Sequence, residues 1–209
     1  MEIRKVDNKY LPEWIVEYLH RDVEEQEYAE SLGINHEAQQ LLKAEEEKVL
    51  QQLENDRQNV MLLLEMAEVE RQMGSLFYYI GGMSFAISEE HFNIAANCMK
   101  EVMALGYNLE NEAEYARILM EYGTVIVRIM ELNTVPNSVL PTPEANAVEV
   151  VREAVDIYRK NKDYQDKESV QRYRDALQLF GEACYLSLLL RDQDESLEEN
   201  LNENQEAYN

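Results

Sequence analysis

Residues 112–132 read EAEYARILMEYGTVIVRIMEL, and this stretch decides the fold class of the chain. Its large apolar residues recur at spacings of three and four, which is the periodicity of a helix with one buried face. The same period returns along most of the 209 residues. With only 7 glycines and 4 prolines, the chain has too few turn-forming residues for a many-stranded sandwich or barrel. We therefore expect an all-α protein built from antiparallel helix pairs.

The apolar pattern predicts about eight helices, and glycine and proline mark most of their ends. Gly33 is expected to end the first helix, residues 73–76 to form a tight turn between the third and fourth, and Gly106 to end the fifth. The prolines at 136, 141 and 143 predict an extended, exposed loop over residues 133–143. The predicted helices cover residues 11–32, 35–55, 58–73, 76–88, 92–105, 112–132, 144–161 and 167–190.

Composition divides the chain into three predicted parts. Residues 1–57 form acidic N-terminal helices, residues 58–191 form a helical domain interrupted by the proline-rich loop, and residues 192–209 form an acidic tail that we expect to be frayed. A hydrophobic content of 45% is enough for a core of ordinary size.

The net charge of −23 arises from 42 acidic and 19 basic residues. Such an excess of negative charge argues against binding to duplex DNA by neutralising its phosphates. No apolar run approaches the ~18 residues of a membrane span, and the charged N-terminus lacks the apolar core of a signal peptide. Cys98 and Cys184 lie far apart among apolar neighbours, so we expect two buried thiols and a reducing, cytoplasmic compartment.

Residue types that carry catalysis or bind metals occur without the necessary spacing. The histidines His20, His36 and His91 are scattered, and Glu17 with His20 supplies only one of the two Glu-x-x-His pairs that a di-iron bundle needs. No Gly-x-Ser-x-Gly motif is present, and Gly81-Gly82 is not followed by the Gly-Lys-Ser/Thr of a phosphate loop. We expect no enzyme activity, no metal and no cofactor.

Three segments share small residues at helix-packing positions. Leu119-Met-Glu-Tyr-Gly123 and Leu177-Gln-Leu-Phe-Gly181-Glu-Ala183 each place a glycine within a helix, which predicts close helix–helix contact. In Ala147-Val-Glu-Val-Val151-Arg-Glu-Ala154, two alanines flank a larger residue that fills the space between helices. Together these segments resemble the tetratricopeptide repeat (TPR) family over roughly residues 58–204. An earlier unit places Gly74 at its inter-helix turn.

The resemblance implies a superhelix of stacked helix pairs; an irregular helical bundle is the alternative. It also implies a concave groove that receives a peptide or a partner helix. The lysine and asparagine set with which some family members clamp a terminal carboxylate is not recognisable. The residues that the resemblance places in the groove are Arg71, Gln72, Arg117, Thr124, Arg128, Glu182 and Tyr185.

The charge is distributed unevenly along the chain. Residues 21–57 carry eleven acidic and four basic side chains, whereas a locally basic junction follows the proline-rich loop. Such asymmetry favours charge-steered association with another protein, and self-association of acidic helices with the junction is a further possibility. The junction consists of Arg152, Arg159, Lys160, Lys162, Arg172 and Arg174, with Lys167 nearby.

Two functional hypotheses follow from these patterns. The first is a non-catalytic interaction module, an adaptor or scaffold that binds a peptide or a basic partner surface through a helical groove and charged faces. The alternative is an acidic inhibitor that mimics nucleic acid and blocks a nucleic-acid-binding protein, as a viral or phage counter-defence protein does. Neither hypothesis requires a membrane, and both leave a homo-oligomer open.

Overall fold

The fold is all-helical, as the sequence predicts. The computed structural model describes residues 2–21, 28–106, 108–135, 140–163 and 165–207, apart from the side chains of residues 28–29 and 192–207. Within these ranges the chain forms seven α-helices, rather than about eight, and no β-strand. Predictions made for residues 22–27 and 136–139 lie outside the described part. The described residues on either side of 136–139 are non-helical, as expected of the loop.

Three of the helices begin after an asparagine that stabilises their free N–H groups. Asn59, Asn108 and Asn146 each precede a helix and accept hydrogen bonds from backbone N–H groups of its first turn, which is the usual role of an asparagine cap. The helices are α1 (Glu13–Leu19), α2 (Tyr28–Asn55), α3 (Val60–Ile80), α4 (Ser84–Leu105), α5 (Leu109–Asn133), α6 (Ala147–Lys160) and α7 (Lys167–Ala207).

The turn between α3 and α4 lies at Gly81-Gly82, so its predicted place at residues 73–76 is wrong. Both glycines have left-handed backbones, with φ of 77° and 61°, which side chains rarely adopt. Gly74 lies inside α3 instead, where an added Cβ would be only 2.7 Å from the Phe92 ring of α4. It is therefore a packing glycine and not the turn of a repeat unit. The predicted break between residues 88 and 92 is also wrong, because α4 is continuous from Ser84 to Leu105.

Two further helix ends differ from the prediction. Gly33 lies within α2 and is exposed, with no heavy atom within 4 Å of an added Cβ. It does not end a helix because helix-forming residues continue on both sides, and a single glycine lowers helix stability by only about 1 kcal/mol. The last helix continues to Ala207 and does not end near Leu190. Residues 191–207 contain neither glycine nor proline to stop it.

Each helix packs against the next one along the chain, and α7 also packs against α5. The larger hydrophobic core lies around α5, and a smaller one joins α1, α2 and α3. Gly123 confirms the predicted close contact, because its missing Cβ leaves room for Val151 of α6. Ala147, Val151 and Ala154 are all buried in this interface. At Gly181, by contrast, nothing lies within 4 Å of an added Cβ, so the predicted contact is absent from the described part of the chain.

Both cysteines are free and only partly buried. Burial raises the pKa of the Cys98 thiol to about 12, which keeps it protonated and unreactive at neutral pH. None of the helices in the described ranges combines the length and apolar character required to cross a lipid bilayer.

Candidate functional site

The N-terminal segment, defined here as residues 3–7, is neither helix nor strand and contacts α3 and α5. Ile3 and Val6 are buried, and Ile3 belongs to the larger core. The Tyr79 hydroxyl of α3 donates a hydrogen bond to the carbonyl of Ile3 at 2.6 Å. A nitrogen of the His20 ring lies 2.8 Å from the carbonyl of Val6. The segment is therefore held through its backbone as well as through its side chains.

Arg4 is the charged anchor of this segment. Its Nε and Nη2 donate to the two carboxylate oxygens of Glu121 at 2.6 and 2.9 Å, and its Nη1 donates to Glu114 at 2.7 Å. Glu121 is fully buried. Burial opposes the charge on Arg4, but hydrogen bonding and attraction to Glu121 outweigh it and raise the pKa of the guanidinium. Charge-assisted bidentate pairs of this kind are among the stronger hydrogen bonds in proteins.

At its other end, the segment binds two residues that the sequence places in a partner-binding groove. Gln72 donates to Asp7 at 2.7 Å, and Arg71 Nη2 lies 3.9 Å from Asp7 Oδ2. Arg71 also makes two hydrogen bonds to Glu68, at 2.6 and 2.8 Å. Both Arg71 and Gln72 are buried. In this structure they bind the chain's own N-terminal segment and offer no exposed surface to a partner.

The other predicted groove residues lie on two separate helices. On α5, Arg117 pairs with Glu114 at 3.4 Å, the same carboxylate that Arg4 binds, and Arg128 pairs with Glu131 at 2.9 Å. Thr124 is half-buried and donates to the carbonyl of Met120. Glu182 and Tyr185 are exposed on α7.

The basic junction is largely engaged within the chain. Arg159 pairs with Asp156 at 2.6 Å, and Lys160 pairs with Glu112 at 2.9 Å. Arg172 lies 3.6 Å from Glu168. Arg152 and Lys162 lie over the rings of Phe180 and Tyr173, at 5.7 and 4.4 Å from the ring centroids, and Arg174 is exposed. Carboxylates and aromatic rings of the same chain thus contact much of the positive charge that we expected to take part in charge-steered association or self-association.

A different surface is open, and we call it the α4–α5 cleft. It is a cavity of about 340 Å³ between α4, the Tyr122 ring of α5 and the segment that leads into α6. Among the residues that the structure describes, its lining contains three carboxylates and no lysine, arginine or histidine. The lining residues are Ala86, Ile87, Glu89, Glu90, Asn93, Tyr122, Pro141, Thr142 and Glu144.

Glu89 is the buried carboxylate of the cleft, with a residue exposure of only 6%. Its Oε1 accepts hydrogen bonds from the backbone N–H groups of Glu144 and Ala145, at 3.0 and 3.3 Å. Its Oε2 accepts none from the residues that the structure describes. Burial raises the pKa of Glu89, and the two backbone hydrogen bonds partly offset this effect. A carboxylate whose second oxygen is accessible in the cleft favours a cationic group nearby.

The rim of the cleft is apolar. Ile87, which lines the cleft, is 42% exposed, and Met83, the residue that precedes α4, is 58% exposed but is not part of the lining. Burial and the neighbouring carboxylates Glu89 and Glu144 also raise the pKa of Tyr122, which remains a neutral phenol. The cleft therefore offers apolar contact area beside negative charge. Sequence analysis missed it because nothing local distinguishes Glu89 from the other 41 acidic residues.

No three histidine, cysteine or carboxylate side chains converge as a metal site within the described ranges. The chain has no significant match among protein-family models, curated proteins or solved structures.

Proposed function

We propose that the protein is a non-catalytic interaction module that binds a basic segment of another protein in the α4–α5 cleft. The observation that carries this proposal is the buried Glu89 carboxylate, whose Oε2 accepts no hydrogen bond from the described residues and which lines an open cavity with Glu90 and Glu144. A lysine or arginine side chain of the partner donates a hydrogen bond to this oxygen. The TPR-like stacking of the helix pairs is part of the same proposal, with the cleft taking the place of the predicted groove.

The chemistry of the cleft specifies the partner segment. The exposed side chain of Ile87 in the cleft favours apolar contacts beside the cation, because removing such a side chain from water stabilises a complex. The net charge of −23 raises the association rate with a positively charged partner, and salt reduces this steering. We therefore expect an amphipathic segment with basic and apolar residues on one face.

Titration with labelled peptides tests the proposal. A peptide with alternating arginine and leucine residues is the probe, and a peptide with glutamate in place of arginine is its control. Glu89→Gln keeps the oxygen that accepts the backbone hydrogen bonds but removes the charge, and we expect it to weaken binding about tenfold, or about 1.4 kcal/mol. Glu101→Gln, an exposed site on α4 outside the cleft, should leave the affinity unchanged. Equal affinity of the wild type and Glu89→Gln contradicts the proposal.

The acidic-inhibitor hypothesis places the interface on α2 instead. Glu37, Glu47 and Glu54 are exposed at helical spacing along this helix, and they are the carboxylates that would replace phosphates. Substituting Glu47 and Glu54 with lysine distinguishes the two surfaces. Loss of probe binding in this variant, with no effect of Glu89→Gln, favours the inhibitor.

A further inference from the structure

The last helix, α7, has apolar residues on two opposite faces. Its inner face packs against α5 and α6 and contributes buried side chains to the larger core, namely Ala176, Leu179, Ala183 and Leu186. A second set of apolar residues lies on the outer side. There, Leu177 is 43% exposed, Tyr185 65% and Leu188 53%. We call Leu177, Gly181, Tyr185 and Leu188 the outer stripe, because they recur at spacings of three and four.

Gly181 lies in the middle of the outer stripe. It is exposed, and no heavy atom lies within 4 Å of an added Cβ. At Gly123, the missing Cβ provides the space that Val151 fills. At Gly181, no side chain of the described part of the chain fills the corresponding space. The glycine lowers the stability of the helix and makes no close contact within the chain in return. A second helix that crosses here would use this space, because glycine allows two helix backbones to approach closely.

The charge along α7 changes sign on either side of Gly181. Residues 167–174 contain three basic side chains and one acidic side chain, whereas residues 192–206 contain seven acidic side chains and no basic one. Both stretches belong to the same continuous helix. Lys167, Arg174, Gly181, Leu188 and Glu195 follow one another at intervals of seven residues, which keeps their positions near one side of the helix.

We propose that the outer stripe of α7 binds α7 of a second copy of this chain, with the two helices antiparallel and the two-fold axis beside Gly181. This orientation brings residues 167–174 of each α7, which carry three basic residues and one acidic residue, alongside residues 188–195 of its partner, which carry three acidic residues and one basic residue. It also places Leu177 of one copy opposite Tyr185 of the other. A parallel pair would place like charges together at both ends. Because the two-fold axis makes the surface self-complementary, one apolar stripe covers the other.

Sedimentation of the full-length chain over a range of concentrations tests the proposal. A reversible monomer–dimer equilibrium is expected for the wild type. Leu177→Glu should raise the dimer dissociation constant at least about tenfold, equivalent to 1.4 kcal/mol, because Leu177 lies opposite Tyr185 of the partner. Met61→Glu is the matched control, since Met61 is a 72% exposed apolar residue on α3, and it should leave the dissociation constant unchanged. Circular dichroism verifies that both variants are folded.

Gly181→Ala separates dimerisation from stability. In the dilute monomer we expect it to raise the melting temperature, because alanine stabilises a helix and the added Cβ meets no neighbour. In the dimer the same Cβ prevents close approach, so the dissociation constant should rise. If Gly181→Ala leaves the dissociation constant unchanged, the two helices do not meet at this residue and the proposal is wrong.

Arg174→Glu tests the orientation. In an antiparallel pair it places a new negative charge near the acidic end of the partner helix and weakens the dimer. In a parallel pair it removes a like-charge contact and strengthens the dimer, which would overturn the proposed orientation. A chain that remains monomeric at every accessible concentration overturns the proposal as a whole.

Discussion

Arg4 and Glu121 form a bidentate pair that joins the N-terminal segment to the centre of the molecule. The two hydrogen bonds measure 2.6 and 2.9 Å, and the backbone N–H of Arg4 donates a third to Glu121 at 3.0 Å. Because Glu121 is fully buried in α5, its charge is stabilised only while this partner remains in place. The pair links residues 117 positions apart and makes the N-terminal segment part of the core.

Replacing Arg4 should therefore destabilise the whole protein. We expect Arg4→Ala to lower the free energy of unfolding by about 3 kcal/mol, since it leaves a buried carboxylate without its partner. Urea denaturation followed by circular dichroism measures the change. Lys5→Ala is the control, because Lys5 is an exposed cation beside Arg4. Unfolding midpoints that agree for Arg4→Ala and Lys5→Ala would contradict the role of the pair.

Glycine-to-alanine substitutions should have opposite effects at two helical sites. Gly123→Ala introduces a Cβ into the position of the Val151 side chain, and overpacking of this kind costs about 1–3 kcal/mol. Gly33→Ala adds its Cβ to open space in α2 and should stabilise the helix by up to about 1 kcal/mol. Thermal unfolding compares the two variants. Adding Val151→Ala to Gly123→Ala should relieve the clash, and a Gly123→Ala variant as stable as the wild type would refute the packing assignment.

Glu70 and His91 form a second pair that depends on tertiary contact. His91 Nδ1 lies 2.6 Å from Oε2 of the fully buried Glu70, and the His91 ring stacks on Phe77 at 5.4 Å between centroids. Glu70 Oε1 has no hydrogen-bond partner among the described residues. We expect His91→Leu to lower the free energy of unfolding by about 3 kcal/mol. The double variant Glu70→Met/His91→Leu should be more stable than the single variant, because it removes both polar groups; calorimetry measures both.

The raised pKa of Glu89 predicts a specific dependence of stability on pH. Burial favours the protonated carboxyl in the folded protein, so the folded state binds the proton more tightly than the unfolded state does. The stabilisation from this group is fully present below pH 4.5, the ordinary pKa of glutamate. It is lost as the pH rises through the higher pKa of the folded state.

Denaturation of the wild type and Glu89→Gln over this pH range checks the prediction. The difference in unfolding free energy, wild type minus variant, should fall as the pH rises above 4.5 and then become constant. Glu101→Gln, at an exposed site, is the control. A difference that increases with pH would mean that the pKa of Glu89 is lowered.

Helix content and the close helix contact at Gly123 were predictable from local sequence. The three-and-four spacing of apolar residues in α5 fixes which side of that helix is buried, and Gly123 with Val151 supplies complementary small and large groups. Gly33 and Gly74 were predicted to lie at helix ends because glycine often ends a helix. Both lie inside helices instead, and Gly74 packs closely against the neighbouring helix. Only the position of Phe92 on the neighbouring helix shows which role Gly74 has.

The sequence by itself determined that the chain is helical, acidic and rich in amphipathic segments, because these properties depend on residues within one or two turns of each other. The tertiary structure decided which side chains are free to act. It buried Arg71 and Gln72 beneath the N-terminal segment and left Glu89 lining an open cleft. These outcomes depend on residues far apart in the chain, since burial and pairing of a charge are set by whichever segments fold against it.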